Sequence, residues 1–179
     1  DELGIGISPQ LQAYCTELRQ IAQGISLMRE ISERTRARVM SNGELMATEI
    51  GSRFLAAQGL DVTWWDGRTG LAAEERANAG TRGNYLAATC DLTPDAALDA
   101  QLQALTPVVI TQGFIARDAR GDTVLLGRGG SDTSGAYFAA KLKARRLEIW
   151  TDVPGMFSAN PRSTPSSRLL KELHYDEAQ

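Results

Sequence analysis

Short apolar runs rich in β-branched and aromatic residues, separated by helical stretches, constrain the fold of this chain most strongly. Three of these runs are Val62–Trp65, Val108–Thr111 and Leu147–Trp150. Continuous apolar runs of this length are typical of parallel strands buried on both faces, because crossover helices cover both sides of a parallel sheet. We therefore predict the α/β class, as an αβα sandwich around a mostly parallel central sheet.

The first sixty residues predict helices. Apolar residues recur at three- and four-residue steps from Leu11 to Ile25, and Ser8-Pro9 supplies a cap and a first helical residue. A second helical run extends from Leu27 to Val39. A third helix is predicted to begin at Ser41–Glu44, which has the form of a capping box, and to end near Gly59.

Further elements are predicted along the rest of the chain. Thr93-Pro94 opens a helix that runs to about Leu105, and a second helix covers Ser131–Ala144. Between them, Ile115–Leu126 has the pattern of a β-hairpin that turns at Arg120–Asp122. A polar helix-like stretch follows at Tyr175–Gln179.

Charge and hydropathy exclude several classes of partner. The net charge is −3 and the pI is near 5.3, so no positive field gathers nucleic acid or anionic lipid. No apolar run approaches the ~18 residues that span a bilayer, and Asp1–Pro9 lacks the pattern of a signal peptide. Cys15 and Cys90 show no metal or redox spacing. We therefore expect reduced thiols in a cytoplasmic protein that has neither nucleic acid nor a membrane as a partner.

The segment Leu126–Asp132, with the sequence LGRGGSD, is the strongest functional signal. It lies between a predicted strand and a predicted helix, where open α/β sheets bind their ligands. Its glycines allow close approach to the backbone, Arg128 offers a planar fork to a carboxylate or phosphate, and Asp132 can orient a cationic partner. A glycine-rich turn with a helix cap at Ser131 explains the spacing about equally well.

Two other segments carry weaker signals. Trp150–Arg162 follows a predicted strand, so Thr151 and Asp152 are expected at the carboxyl end of that strand beside the glycine segment. Taken alone, this stretch is better explained as a surface loop with two proline turns. Glu44 lies near the start of the segment Ser41–Thr48. Considered alone, it is better explained by a capping hydrogen bond than by a role in binding.

In combination these segments resemble aspartokinases, of the amino-acid kinase family. The resemblance covers Arg38 to the C-terminus and rests on long motifs in a shared order and spacing. The motifs are Ser41–Met46 (SNGELM), Thr111–Phe114 (TQGF), Gly127–Asp132 (GRGGSD), Trp150–Gly155 (WTDVPG) and Asn160–Arg162 (NPR).

The resemblance implies an amino-acid kinase fold and ATP-dependent phosphorylation of the side-chain carboxylate of L-aspartate, with Mg²⁺ accompanying ATP. It implies that Arg128 clamps the α-carboxylate of aspartate and that Glu44, Gly129 and Ser131 hold other substrate groups. Asp132 is implied as the catalytic residue that orients a lysine at the phosphoryl-transfer centre.

The resemblance also implies a nucleotide site. Thr151 and Asp152 are expected against the adenosine portion of ATP, and Phe157 and Arg162 along its ribose and phosphates. Two positions depart from the family pattern: Phe157 stands where a tyrosine is frequent, and Asn160 stands where aspartate is usual. The implied partners are L-aspartate and ATP, with no metal bound by the chain's own side chains.

The family pattern also predicts that residues 1–179 are a partial catalytic domain. The lysine-bearing KFGGTS-type strand, the later kinase segment and the ACT regulatory domains are not in the sequence. We therefore expect the piece alone to be inactive and the full-length protein to be a homo-oligomer. In some members of the family, the aspartokinase is fused to homoserine dehydrogenase or diaminopimelate decarboxylase. The alternatives are a kinase of the same fold that acts on glutamate, acetylglutamate or a nucleotide, and a non-catalytic interaction module.

Overall fold

The structure is a computed structural model that describes residues 3–174, and it divides into two compact units after Leu147. The helical stretch predicted for Tyr175–Gln179 lies outside the described residues. The elements of the first unit, in chain order, are α1 (Pro9–Met28), α2 (Glu33–Ala57), β1 (Val62–Trp64), a 3-10 turn (Gly67–Thr69), α3 (Gly80–Leu86), α4 (Ala96–Gln103), β2 (Val108–Ile110), β3 (Ile115–Arg117), β4 (Thr123–Leu125) and α5 (Gly130–Lys141).

The strands form two pairs. β1 and β2 are parallel, with Val62 beside Val108, and the chain between them contains α3 and α4, as a parallel crossover requires. β3 and β4 are antiparallel, with Ile115 opposite Leu125, and Gly121 turns the hairpin at a φ of 86°. The predicted hairpin and the first two predicted strands are therefore confirmed.

Two consecutive tryptophans show that helices cover both faces of the parallel pair. The indole Nε1 of Trp64 donates to Thr48 Oγ1 of α2 at 3.0 Å. The ring of Trp65 instead meets the edge of Phe138 of α5, with 6.1 Å between the ring centroids. Trp65 directly follows β1, and its N–H still donates to the carbonyl of Ile110 of β2 at 2.8 Å, so the two successive side chains point to opposite faces. The helices α2 and α5 therefore lie on opposite sides of the pair. The structure therefore has the predicted layered α/β arrangement.

The helix α2 corrects the prediction for residues 33–57. Ser32 caps it, with Oγ accepting from the N–H of Thr35 at 3.1 Å, and the helix continues without a break to Ala57. The capping box predicted at Ser41–Glu44 is therefore wrong. Inside the helix the hydroxyl of Ser41 donates to the carbonyl of Arg38 at 2.9 Å, a local bond that needs no helix start.

The strand predicted at Leu147–Trp150 is also absent from the structure. These residues have no ladder partner within the described part of the chain, and the side chain of Trp150 is 89% exposed. A strand is stabilised by the backbone that pairs with it, so β-branched composition alone does not produce one. Thr151 and Asp152 consequently follow an irregular segment and not the end of a strand.

The core of the first unit lies where α2, α3 and the two strand pairs meet. Its most buried large side chains are Leu71, Ile115, Val124 and Leu125. Among the described residues no helix combines the length and the apolar character needed to cross a membrane.

A buried amide connects the layers. Gln112, two residues beyond β2, is fully buried; its Oε1 accepts from the N–H of Gly67 and its Nε2 donates to Thr48 Oγ1, both at 2.9 Å. One side chain thereby joins α2, the end of β2 and the 3-10 turn. A buried polar group with these partners is costly to remove, because the partners are then left unsatisfied.

We predict that Gln112→Leu lowers the free energy of unfolding by about 2–3 kcal/mol, because the N–H of Gly67 loses a buried acceptor. Urea denaturation followed by circular dichroism measures this loss. Gln101→Leu, on the exposed side of α4, is the matched control and should change stability by less than about 0.5 kcal/mol. Equal effects of the two substitutions would contradict the proposed role of Gln112.

Candidate active site

One open pocket brings together five of the residues predicted to form the site. It is lined by the glycine loop, which we define as Gly127–Asp132, by Phe114 and by Glu44. Arg128 and Gly129 come from the loop between β4 and α5, Ser131 and Asp132 come from the first turn of α5, and Glu44 comes from the middle of α2. The predicted strand–loop–helix setting of the glycine segment is confirmed.

The glycine loop needs its glycines for two different reasons. Gly129 has a φ of 70°, in the left-handed region that side chains disfavour. Gly130 is required by close packing, since a Cβ at this position would lie 2.6 Å from Cδ2 of Phe114 and 3.2 Å from its Cα. The loop therefore lies directly against the backbone of the Thr111–Phe114 segment.

The first turn of α5 presents free backbone donors to the pocket. Gly129 occupies the N-cap position without a capping side chain, so the cap considered at Ser131 does not form. The N–H groups of Ser131 and Asp132 have no acceptor within the described residues. Unsatisfied N–H groups and the positive end of the helix dipole favour an anion at this point.

Phe114 and Ser134 complete the loop's support, and sequence reasoning assigned neither of them a role. Phe114 has a φ of 69°, and its N–H donates to Ser134 Oγ at 2.7 Å. The hydroxyl of Ser134, which is 2% exposed, donates to the carbonyl of Gly130 at 2.5 Å. The TQGF motif pointed to Phe114, whereas Ser134 is a helix serine without a distinguishing sequence pattern.

The pocket contains unpaired charge of both signs. Arg128 is exposed and forms no ion pair within the described residues, in contrast to Arg68, which binds Asp66 at 2.7 Å. Glu44 and Asp132 likewise form no ion pair in the described part of the chain. An arginine fork with free N–H groups suits a carboxylate or phosphate, and the two carboxylates suit a cation. This arrangement fits a ligand that carries charges of both signs.

The residues predicted to bind nucleotide lie in the second unit, after Leu147. Phe157 and Arg162 line one open pocket there, with walls that include Pro154 and Pro161. Phe157 is half-buried and forms an antiparallel bridge with Leu169. The second unit thus brings together one apolar ring and one exposed guanidinium.

Thr151 and Asp152 lie outside the set of residues that line this pocket. Both are exposed, and the hydroxyl of Thr151 donates to Asp152 Oδ1 at 3.3 Å. At position 160, where the resemblance predicts aspartate, Asn160 accepts from the N–H of Arg162 through Oδ1 at 2.9 Å. Asparagine and aspartate make this turn equally well, so the departure leaves the local backbone intact.

The sequence profile of the amino acid kinase family matches residues 6–179, and the chain belongs to this family. The chain is 36% identical over 164 residues to the bifunctional aspartokinase/homoserine dehydrogenase of Buchnera aphidicola subsp. Acyrthosiphon pisum, an alignment that covers 90% of the chain and 19% of the relative. It is 36% identical over 140 residues to lysine-sensitive aspartokinase 3 of Escherichia coli, covering 78% of the chain and 30% of the relative.

A solved structure supports the same relationship. The crystal structure of Escherichia coli aspartokinase III in complex with aspartate and ADP matches with a TM-score of 0.73 and 32% identity, over 89% of this chain and 34% of that one. The amino-acid kinase fold and the resemblance to aspartokinases are thereby confirmed. In these three matches the chain spans between 19% and 34% of the length of the relative.

We predict that Gly130→Ala lowers the free energy of unfolding by about 1–3 kcal/mol, because the new methyl group overlaps Phe114. Gly51→Ala is the matched control: no atom lies within 4 Å of its Cβ position inside α2, so it should raise stability by about 0.5–1 kcal/mol. Thermal unfolding measures both. A neutral or stabilising Gly130→Ala would show that the loop is not packed against Phe114.

Proposed function

We propose that this chain is part of the catalytic domain of an aspartokinase, which transfers the γ-phosphoryl group of ATP to the side-chain carboxylate of L-aspartate. The product is 4-phospho-L-aspartate, the first intermediate in the biosynthesis of the aspartate-derived amino acids, including lysine. The observation that carries the proposal is the pocket that joins the unpaired Arg128 with Glu44 and the free N–H groups of the glycine loop. The similarity to aspartokinases supports the same conclusion.

The proposed substrate contacts follow from the charges. The fork of Arg128 binds the α-carboxylate of aspartate, and Gly129 and Ser131 supply backbone and hydroxyl groups beside it. Glu44 faces the same pocket and binds the α-ammonium group. Asp132 orients the lysine that neutralises charge on the transferred phosphoryl group, since catalysis of this kind depends on alignment and charge neutralisation.

The proposed nucleotide contacts come from the second unit. The ring of Phe157 and the neighbouring prolines offer an apolar wall, and the exposed guanidinium of Arg162 offers charge to phosphate oxygens. Thr151 and Asp152 contact the adenosine portion. The described residues include no group of three or more potential metal ligands. This fits a Mg²⁺ ion that is held chiefly by the phosphates of ATP. An ion bound there would supply positive charge against the phosphate oxygens.

Substrate choice tests the reaction. The full-length protein, supplied with Mg-ATP, should release ADP when L-aspartate is added. L-Glutamate and N-acetylglutamate should give little turnover, because their longer side chains place the acceptor carboxylate differently when Arg128 holds the α-carboxylate. A preference for either of these two acids would replace the proposal with a related kinase activity, and the absence of turnover with all three would favour a non-catalytic module.

We predict that Arg128→Lys raises the KM for aspartate by about tenfold or more and changes the KM for ATP little. An ammonium group keeps the charge but loses bidentate pairing, at a cost of about 1.5–3 kcal/mol. Steady-state kinetics in which each substrate is varied separately measure the effect. Equal changes in both KM values would assign Arg128 to the nucleotide or to the fold.

We predict the converse for Arg162→Gln, which should weaken ADP binding by about tenfold, since one charge-assisted contact is lost. Aspartate binding should be unchanged. Isothermal titration calorimetry with ADP measures the effect, and Arg168→Gln is the matched control, because Arg168 is exposed in the same unit and lies outside the lining of the pocket. Similar losses of ADP affinity in both variants would show that Arg162 contributes only through net charge and not through a specific contact.

A further inference from the structure

One buried hydroxyl joins two segments that meet at the pocket lined by the glycine loop. The first segment is Thr111–Phe114, and the second is the first turn of α5, which begins at Gly130. The N–H of Phe114 donates to Ser134 Oγ at 2.7 Å, and the hydroxyl of Ser134 donates to the carbonyl of Gly130 at 2.5 Å. Ser134 is 2% exposed, so water does not compete for either bond.

This hydroxyl does more than the usual bond between a helix hydroxyl and a carbonyl one turn earlier. Its neighbour Thr133 makes only such a bond, from Oγ1 to the carbonyl of Gly129 at 3.0 Å, at an exposed position. Bonds of this kind are local and need nothing beyond the helix. Ser134 makes the same local bond but also accepts from Phe114, which lies 20 positions earlier in the chain. The hydroxyl of Ser134 therefore connects two parts of the site.

Phe114 has no equivalent acceptor without that hydroxyl. The carbonyl of Gly130 also accepts from the N–H of Phe114, but at 3.3 Å, compared with 2.7 Å for Ser134 Oγ. The φ of 69° at Phe114 is a left-handed conformation that a non-glycine residue keeps only when its surroundings impose it. The bond to Ser134 is one of the contacts that impose it here.

The two segments are packed so closely that a shift of one moves the other. A Cβ at Gly113 would lie 3.0 Å from Cα and 3.2 Å from Oγ of Ser131. The N–H groups of Ser131 and Asp132, which have no acceptor in the described part of the chain, belong to the same turn. Their direction therefore depends on how this turn is seated against Gly113. Because Gly113 precedes Phe114, the bond from Phe114 to Ser134 fixes that seating.

We propose that Ser134 is a positioning residue of the active site. Its hydroxyl holds the first turn of α5 so that the free N–H groups of Ser131 and Asp132 face the α-carboxylate of the substrate beside Arg128. Ser134 is buried and lies outside the residues that line the pocket, so it acts through these groups and not by contact with the substrate. This inference rests on the proposed function, because L-aspartate is the substrate whose carboxylate is held there.

Kinetics of two variants of the full-length protein separate positioning from stability. Ser134→Ala should raise the KM for aspartate by about tenfold and change the KM for ATP little, because the proposed nucleotide contacts lie in the second unit. Ser41→Ala is the matched control: Ser41 is also a helix serine, 1% exposed, and its hydroxyl bonds only within α2. It removes a buried hydroxyl as well, so it should lower stability similarly but leave both KM values unchanged. If Ser134→Ala does not fold, Ser134→Cys makes the same test, since a thiol nearly keeps the volume but bonds weakly.

Hydrogen exchange of the same proteins, measured by mass spectrometry, gives a result that does not depend on the reaction. The N–H groups of Phe114, Leu126 and Gly130 are hydrogen-bonded in or beside the loop. In Ser134→Ala they should exchange about tenfold faster than in the wild type, whereas Ser41→Ala should leave them unchanged.

The two measurements distinguish failure of this inference from failure of the proposed function. Faster exchange in a protein whose wild type does not phosphorylate aspartate would overturn the proposed substrate and support the role of Ser134 in holding the loop. Unchanged exchange in Ser134→Ala would overturn the inference whatever the substrate. Equal changes of the KM for aspartate in Ser134→Ala and Ser41→Ala would also overturn it, because the effect would then come from stability alone.

Discussion

The hydroxyl of Thr48 is the contact on which the arrangement of the first unit depends. It donates to the carbonyl of Glu44 at 2.7 Å and accepts from Trp64 Nε1 at 3.0 Å and from Gln112 Nε2 at 2.9 Å. One donor and two acceptor sites exhaust what a hydroxyl offers. The two accepted bonds fix α2 against β1 and against the segment that follows β2, while the donated bond lies within α2 and ends one helical turn away at Glu44.

The position of the glycine loop follows from the same region. The chain leaves β2, passes through Gln112 and Phe114, forms the hairpin, and returns to the loop beside Phe114. Because Gln112 is tied to α2 and Phe114 is tied to α5 through Ser134, the loop and Glu44 meet although they are far apart in sequence. The site therefore depends on polar contacts between layers as well as on the apolar core.

Local sequence patterns predicted those parts of the fold that local physics decides. The first helix with its Ser8 cap, the parallel pair and the hairpin follow from periodicity and turn chemistry. The patterns failed where distant groups decide. Ser41–Glu44 has the sequence of a capping box, but α2 has already begun at Glu33, after its cap Ser32. Leu147–Trp150 has the composition of a strand but no backbone that pairs with it in the described part of the chain. The long motifs located the glycine-loop residues and Glu44, while Ser134 became visible only through its three-dimensional contacts.

The close packing of Gly130 against Phe114 has a consequence for the thermodynamics of ligand binding. The left-handed backbone of Phe114 and the overlap that excludes a Cβ at Gly130 hold the loop in one conformation before any ligand arrives. The loss of backbone entropy then belongs to folding and not to association. With the loop preorganised, the side chain of Arg128 is the main group that becomes ordered on binding. The affinity of a ligand then depends chiefly on its charges, because ordering the loop costs little free energy.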